Sequence, residues 1–126
     1  MTKVLSVLSD GYRATVEEQD DTVLWFTSMC ANELDMAVLL ESDAVNYAVQ
    51  TDDVADLNLG GRKAADVPRL DRDVDALMAK GVAVSYLAED LIARGIDESR
   101  LIDGVKPVAR AELPALFEQF DQIWHW

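Results

Sequence analysis

Gly81-Val82-Ala83-Val84-Ser85-Tyr86-Leu87-Ala88-Glu89-Asp90-Leu91-Ile92-Ala93-Arg94-Gly95-Ile96 decides the fold class, because it reads as a buried strand passing through a short turn into a helix. Val82, Val84 and Tyr86 place β-branched and aromatic residues on one parity. Leu87, Leu91 and Ile92 then recur at helical spacing until Gly95, which ends the helix as a left-handed cap. The turn over Tyr86 to Glu89 therefore lies at the carboxyl end of a central strand, the edge where open α/β sheets bind ligands.

Working outward, the same alternation repeats. Lys3 to Ser9 (Lys-Val-Leu-Ser-Val-Leu-Ser) is too short for a helix and rich enough in Val and Leu for a buried first strand. Glu17, Glu18, Asp20 and Asp21 precede the stripe Val23, Phe26, Cys30 and Leu34, so acidic residues crowd the start of a helix whose apolar face is expected to lie on the sheet. Asp35 to Glu41 reads as the second strand, and Ser42 or Asp43 caps a short helix carrying Val45, Ala48 and Val49. Thr51 to Arg69 loses periodicity around Gly60-Gly61, and Leu70, Val74, Leu77 and Met78 restore a helix ending at Gly81. Beyond Gly95, a strand near Val105 to Val108 is weakened by Pro107. Leu113, Leu116, Phe117 and Phe120 form an amphipathic helix, and Gln122 to Trp126 a closing strand. Strands alternating with helices imply parallel pairing through right-handed crossovers. The expectation is one domain over residues 1–126, a three-layer flavodoxin-like α/β fold with a five-stranded parallel sheet of order 2-1-3-4-5. Its functional loops follow Ser9, Glu41 and Tyr86.

Composition narrows the function classes. The chain has 126 residues, with 24 acidic against 11 basic ones and a net charge of −13. That balance repels phosphate backbones and anionic membranes, so neither nucleic acid nor a membrane is an expected partner. With one cysteine, Cys30, there is no intrachain disulfide. No charged-then-apolar leader and no long apolar run appears, so a cytoplasmic protein is expected.

The candidate chemical groups are few. Cys30 is the only thiol, shares the inward stripe of the first helix and has Glu33 but no base nearby, so it reads as a buried, slowly reacting core residue. His125 is the only histidine, which leaves no ligand set for zinc and argues against a Ser-His-Asp or Cys-His hydrolase. Asp71, Asp73 and Asp75 imitate the opening of a calcium loop, but Ala76 stands where the turn glycine belongs and Val82 where a bidentate Glu is required. They read instead as the acidic start of a helix. Gly60-Gly61-Arg62-Lys63 is no Walker loop, and no Gly-x-Gly-x-x-Gly occurs, so no cofactor is implied. Ser9-Asp10-Gly11-Tyr12-Arg13 stands where a phosphate loop would, with only Gly11 fitting. A receiver domain would need a paired acid, a central-strand Asp and a late Lys, where this chain has Asp10 alone, Tyr86 and no lysine after Lys106. Asp10, Tyr12, Asp43 and Tyr86 are the residues expected to frame a ligand pocket at the carboxyl edge.

The element order, the acidic and apolar first helix, Leu-Leu-Glu-Ser-Asp-Ala-Val after strand two, the Gly81-Val82 to Arg94-Gly95-Ile96 unit and the closing Asp121-Gln122-Ile123 together resemble the DsrE/DsrF-like family, which includes TusD-like sulfur-relay subunits. The resemblance spans nearly the whole chain. It implies trimers or hexamers of like or related subunits. In active members it implies a cysteine persulfide just after the central strand, which passes sulfur to a partner protein. The matching position here is Leu87, which has no nucleophilic atom. The resemblance thus implies an accessory or structural subunit of a sulfur-relay or sulfur-oxidation system. The alternatives are a sulfane-sulfur carrier using Cys30, or a small-ligand module. A homo-oligomer, or a hetero-oligomer with related subunits, is also expected from Trp124 and Trp126. They share one face of a terminal strand and need cover from a neighbouring subunit or from Phe117 and Phe120.

Overall fold

The computed structural model describes residues 1–10, 21–50, 58–63 and 70–126. Strands β1 (Lys3–Leu8), β2 (Asp35–Leu40), β3 (Ala83–Leu87), β4 (Lys106–Val108) and β5 (Gln122–His125) form one all-parallel sheet flanked by helices, a flavodoxin-like α/β arrangement. Between them lie α1 (Thr22–Cys30), a 3₁₀ helix (Ser42–Ala48), α2 (Leu70–Ala79), α3 (Ala88–Ala93) and α4 (Leu113–Phe117). Residues 58–59 and 62–63 pair as a small antiparallel ribbon around Gly60-Gly61.

The strand order is β4-β3-β2-β1-β5, not the expected 2-1-3-4-5. β2 is therefore the middle strand, and β3 is an interior strand one place from the edge. Pro107 supplies the reason. The expected order puts β4 between two partners, yet proline has no N–H to give a ladder and belongs on an edge strand. With β4 at one edge, the last strand has to pair elsewhere, and it lies along β1 in the register Val4 to Gln122 through Val7 to His125.

The order also settles which face each helix covers. Three successive steps in one direction put α1, the 3₁₀ helix, α2 and α3 on the same face, while the return from β4 to β5 puts α4 on the other. The side chains follow the parity of the strands. Val4, Leu8, Met36, Val38, Leu40, Val84 and Tyr86 meet Val23, Leu24, Tyr47, Val74, Leu77 and Leu91 in the large core. Leu5, Val7 and Leu39 meet Leu113, Leu116, Phe117 and Phe120 in the small one.

Local signals behave as the residues dictate. Gly81 and Gly95 have φ of 89° and 66°, the left-handed values that only glycine adopts without cost. Each closes a helix with the paired bonds of a Schellman motif: Gly81 and Val82 N–H donate to the Met78 and Leu77 carbonyls, Gly95 and Ile96 N–H to those of Ile92 and Leu91. Asp71 and Asp73 stand in the first turn of α2, as the helical reading of that acidic run requires.

The inward face of α1 is rotated from expectation. Val23, Leu24 and Thr27 are buried, whereas Phe26 is 38% exposed and Cys30 half-buried. Two polar ties set this rotation. Asp21, fully buried, caps the helix by accepting from Val23 and Leu24 N–H and also from the Tyr47 hydroxyl at 2.7 Å. The Thr27 hydroxyl points at Ser6 Oγ of β1. Phe26 is left to cover Trp124 and Trp126, with ring centroids 6.0 and 5.9 Å away. Phe117 and Phe120, the intrachain alternative to cover from a neighbouring subunit, lie on the opposite face of the sheet.

Candidate functional site

The carboxyl ends of the strands carry two hydrogen-bonded clusters. In the first, β1, β2 and β5 lie side by side, and the residues immediately following Leu8 and Leu40 project on the same side as His125. Ser9 Oγ lies 2.6 Å from Glu41 Oε1 and 2.6 Å from His125 Nε2, and that nitrogen is 3.2 Å from the same carboxylate oxygen. With Glu41 ionised, its approach to Nε2 is attractive only if that nitrogen carries the proton. His125 then donates, and the single hydroxyl proton of Ser9 goes to Glu41. This is the reverse of a serine-hydrolase triad, in which the imidazole accepts the hydroxyl proton and the acid holds the other ring nitrogen. The arrangement links an imidazole whose side chain is 62% exposed, through the Ser9 hydroxyl, to a carboxylate that is 23% exposed. With Nε2 protonated, the imidazole does not draw the proton from the Ser9 hydroxyl.

The second cluster ties together the loops after β2, β3 and β4. Ser42 has φ of 51°, a conformation that costs a non-glycine residue about 1–2 kcal/mol. Its N–H donates to Asp90 Oδ2 at 2.6 Å, and Arg94 Nη2 donates to its hydroxyl at 3.2 Å and to Asp43 Oδ1 at 2.9 Å. Arg110 donates through its backbone N–H to Glu89 and through Nη2 to Asp90 Oδ1. The connections after β3 and β4 leave for opposite faces, so this ion network fills the topological switch point where such sheets open a crevice.

Of the residues expected to frame a pocket, Asp10, Asp43 and Tyr86 lie among the described residues. Asp10 is exposed directly after Ser9, and Tyr12 lies outside the described residues. Asp43 is a largely exposed partner of Arg94. Tyr86 is 3% exposed and belongs to the large core; burial, and then Glu98, raise its hydroxyl above the ordinary phenol value of 10.0. Leu87 ends β3 with a 2% exposed side chain.

Cys30 has a different setting from the one its spacing implies. With Trp25, Phe26, Met29, Glu33 and Leu34 it lines a depression of about 480 Å³ on the outer side of α1. Trp25 is 52% and Met29 53% exposed. Phe26 joins this depression to a second of about 380 Å³, lined also by Trp124, His125 and Trp126 along β5. An apolar surface of this kind on a chain with so many charged residues marks an interaction site more often than a fold requirement. Trp25 and Met29 escaped the sequence reading, although their place on α1 between core positions is visible once the inward face is known. Ser9, Glu41 and His125 have no spacing signal at all, since they meet only through strand order and register.

No protein-family model matches the chain, and no curated protein matches it. Among solved structures it is similar to the ychN protein from E. coli, with a TM-score of 0.72 and 23% identity over 100% of both chains. It is also similar to a protein of unknown function, MTH1491 from Methanobacterium thermoautotrophicum, with a TM-score of 0.64 and 20% identity over 98% of this chain and 99% of that one. These likenesses concern the fold. Among the described residues no helix is long and apolar enough to cross a membrane, and no group of three or more His, Cys, Asp or Glu is placed to hold a metal ion.

Proposed function

We propose that this chain is a DsrE-like accessory subunit of a cytoplasmic sulfur-relay or sulfur-oxidation system, acting through contacts with other proteins as part of a homo- or hetero-oligomer. The observation that carries the reading is the apolar outer side of α1, where Trp25, Phe26 and Met29 stand exposed beside Trp124. Leu87 agrees with it: the position matched to the family's persulfide cysteine holds a buried aliphatic side chain, which cannot accept sulfur.

A second reading, a sulfane-sulfur carrier using Cys30, is favoured by one fact: this thiol is half-buried at the rim of the α1 depression rather than sealed under the helix. Intact-mass measurement after incubation with a sulfane-sulfur donor separates the two. The accessory reading expects no added sulfur on the native protein. Addition of one sulfur atom, lost in Cys30→Ser, would establish the carrier instead.

A further inference from the structure

The two edges of the sheet are built differently, and the difference identifies a docking edge. β4 consists of Lys106-Pro107-Val108, so one edge carries a charge and a residue without an N–H, both of which discourage addition of another strand. β5 is Gln122-Ile123-Trp124-His125 and has neither Lys nor Pro.

Its free groups follow from the ladder. Trp126 N–H donates to the Val7 carbonyl at 2.9 Å, and its carbonyl accepts from Ser9 N–H at 3.0 Å. In a parallel pair only alternate residues face a given neighbour, so Gln122 and Trp124 also turn towards β1. Ile123 and His125 then direct their N–H and C=O groups away from the sheet. Among the described residues no strand pairs with that side. The open edge runs beside the groove formed by Phe26, Trp124, His125 and Trp126, which continues into the depression lined by Trp25, Met29 and Glu33.

The geometry points to an extended, basic and apolar segment of a partner protein, added to β5 as a sixth strand, with alternate apolar side chains in the aromatic groove. Main-chain bonds to Ile123 and His125 supply the pairing, and the groove supplies selectivity for side chains. Charge complementarity selects the partner. β5 itself contains no Lys, Arg, Asp or Glu, but exposed Asp121 stands at its start, Glu33 is the acidic residue lining the adjoining depression, and the chain carries −13. Lys or Arg flanking the added strand meets this field, whereas a second copy brings the same negative charge. This deepens the reading of the chain as an interaction subunit and rests on it.

The test uses the full chain and the probe acetyl-Lys-Val-Lys-Val-Phe-Val-Lys-amide, with a version carrying Pro for its second and third Val and a version carrying Glu for Lys. Hydrogen exchange resolved by residue is expected to show fast exchange at Ile123 and His125 in the free protein, slowed by the basic probe, with Trp124 slow throughout. The Pro version, and the Ile123→Pro variant that removes only an outward N–H, are each expected to lower affinity about tenfold, the worth of roughly one lost hydrogen bond. If Ile123→Pro does not fold, exchange in the unaltered protein decides. The proposal is overturned if the basic probe does not bind, if it binds without slowing those two amides, or if the Glu version binds as well. It is also overturned if light scattering gives a multiple of 13.9 kDa with both amides already slow, which would assign the edge to a second copy. Sulfur uptake by Cys30 would remove the accessory reading and leave the edge result standing; unchanged amides would do the opposite.

Discussion

The two faces of the sheet share the same five strands and differ in almost everything that covers them. Among the described residues, eighteen buried ones form one continuous core beneath α1, the 3₁₀ helix, α2 and α3, and three do so on the α4 side. β1 and β2 supply apolar side chains of both parities, so the strands do not cause the imbalance. The direction of the connections does: three crossovers deliver helices to one face and a single return delivers one to the other. Stability is thus concentrated on one face, while the thinner one leaves Ala83 and Ile123 exposed.

The sharpest way to break this comparison is a matched pair of truncations. Leu40→Ala, at a fully buried site in the large core, is expected to cost about 3–4 kcal/mol, and Leu116→Ala, at a half-buried site over the small core, about 1 kcal/mol. Urea unfolding of both variants measures the difference, and equal losses would mean that the two faces stabilise the fold alike.

A somewhat smaller effect is expected where the thick face is tied by polar groups. Asp21→Ala removes the α1 cap and leaves the buried Tyr47 hydroxyl without the carboxylate it donates to, for a loss of about 2–3 kcal/mol. Adding Tyr47→Phe should recover part of that loss, because the hydroxyl that donated to Asp21 goes with it. A double-mutant cycle showing no coupling would place the capping energy elsewhere.

The smallest effect is on pH dependence. Burial, followed by Glu98, raises the Tyr86 hydroxyl above 10.0, so the fold favours the neutral phenol. The contribution is fully present below pH 10, where folded and unfolded chains are both protonated. It is lost as pH rises through the higher folded value. Thermal melts between pH 8 and pH 11 should therefore fall less steeply in Tyr86→Phe than in the unaltered protein. Parallel curves would show that Tyr86 has no part in the alkaline loss.

Much of this was legible in the residues. Period-two and helical spacings around Gly81 to Ile96 identify a strand and a helix, and the two glycine caps end helices where their φ values demand. Pro107 already held the information that β4 is an edge strand, since a missing N–H is a local fact. The side of α1 that faces inward was not legible. Val23, Phe26, Cys30 and Leu34 satisfy helical periodicity as well as Val23, Leu24 and Thr27 do, and the choice depends on Ser6 and Tyr47 reaching Thr27 and Asp21 across the core.

The amino-acid sequence by itself determined the α/β class, the positions of the strands and the lack of a nucleophile at Leu87, because each depends on neighbours along the chain. Only the tertiary structure decided the order β4-β3-β2-β1-β5, the meeting of Ser9, Glu41 and His125, and the exposure of the aromatic surface beside β5. Those depend on which strands lie side by side and in what register, and local spacing carries no term for contacts between residues more than a hundred positions apart, such as Ser9 and His125.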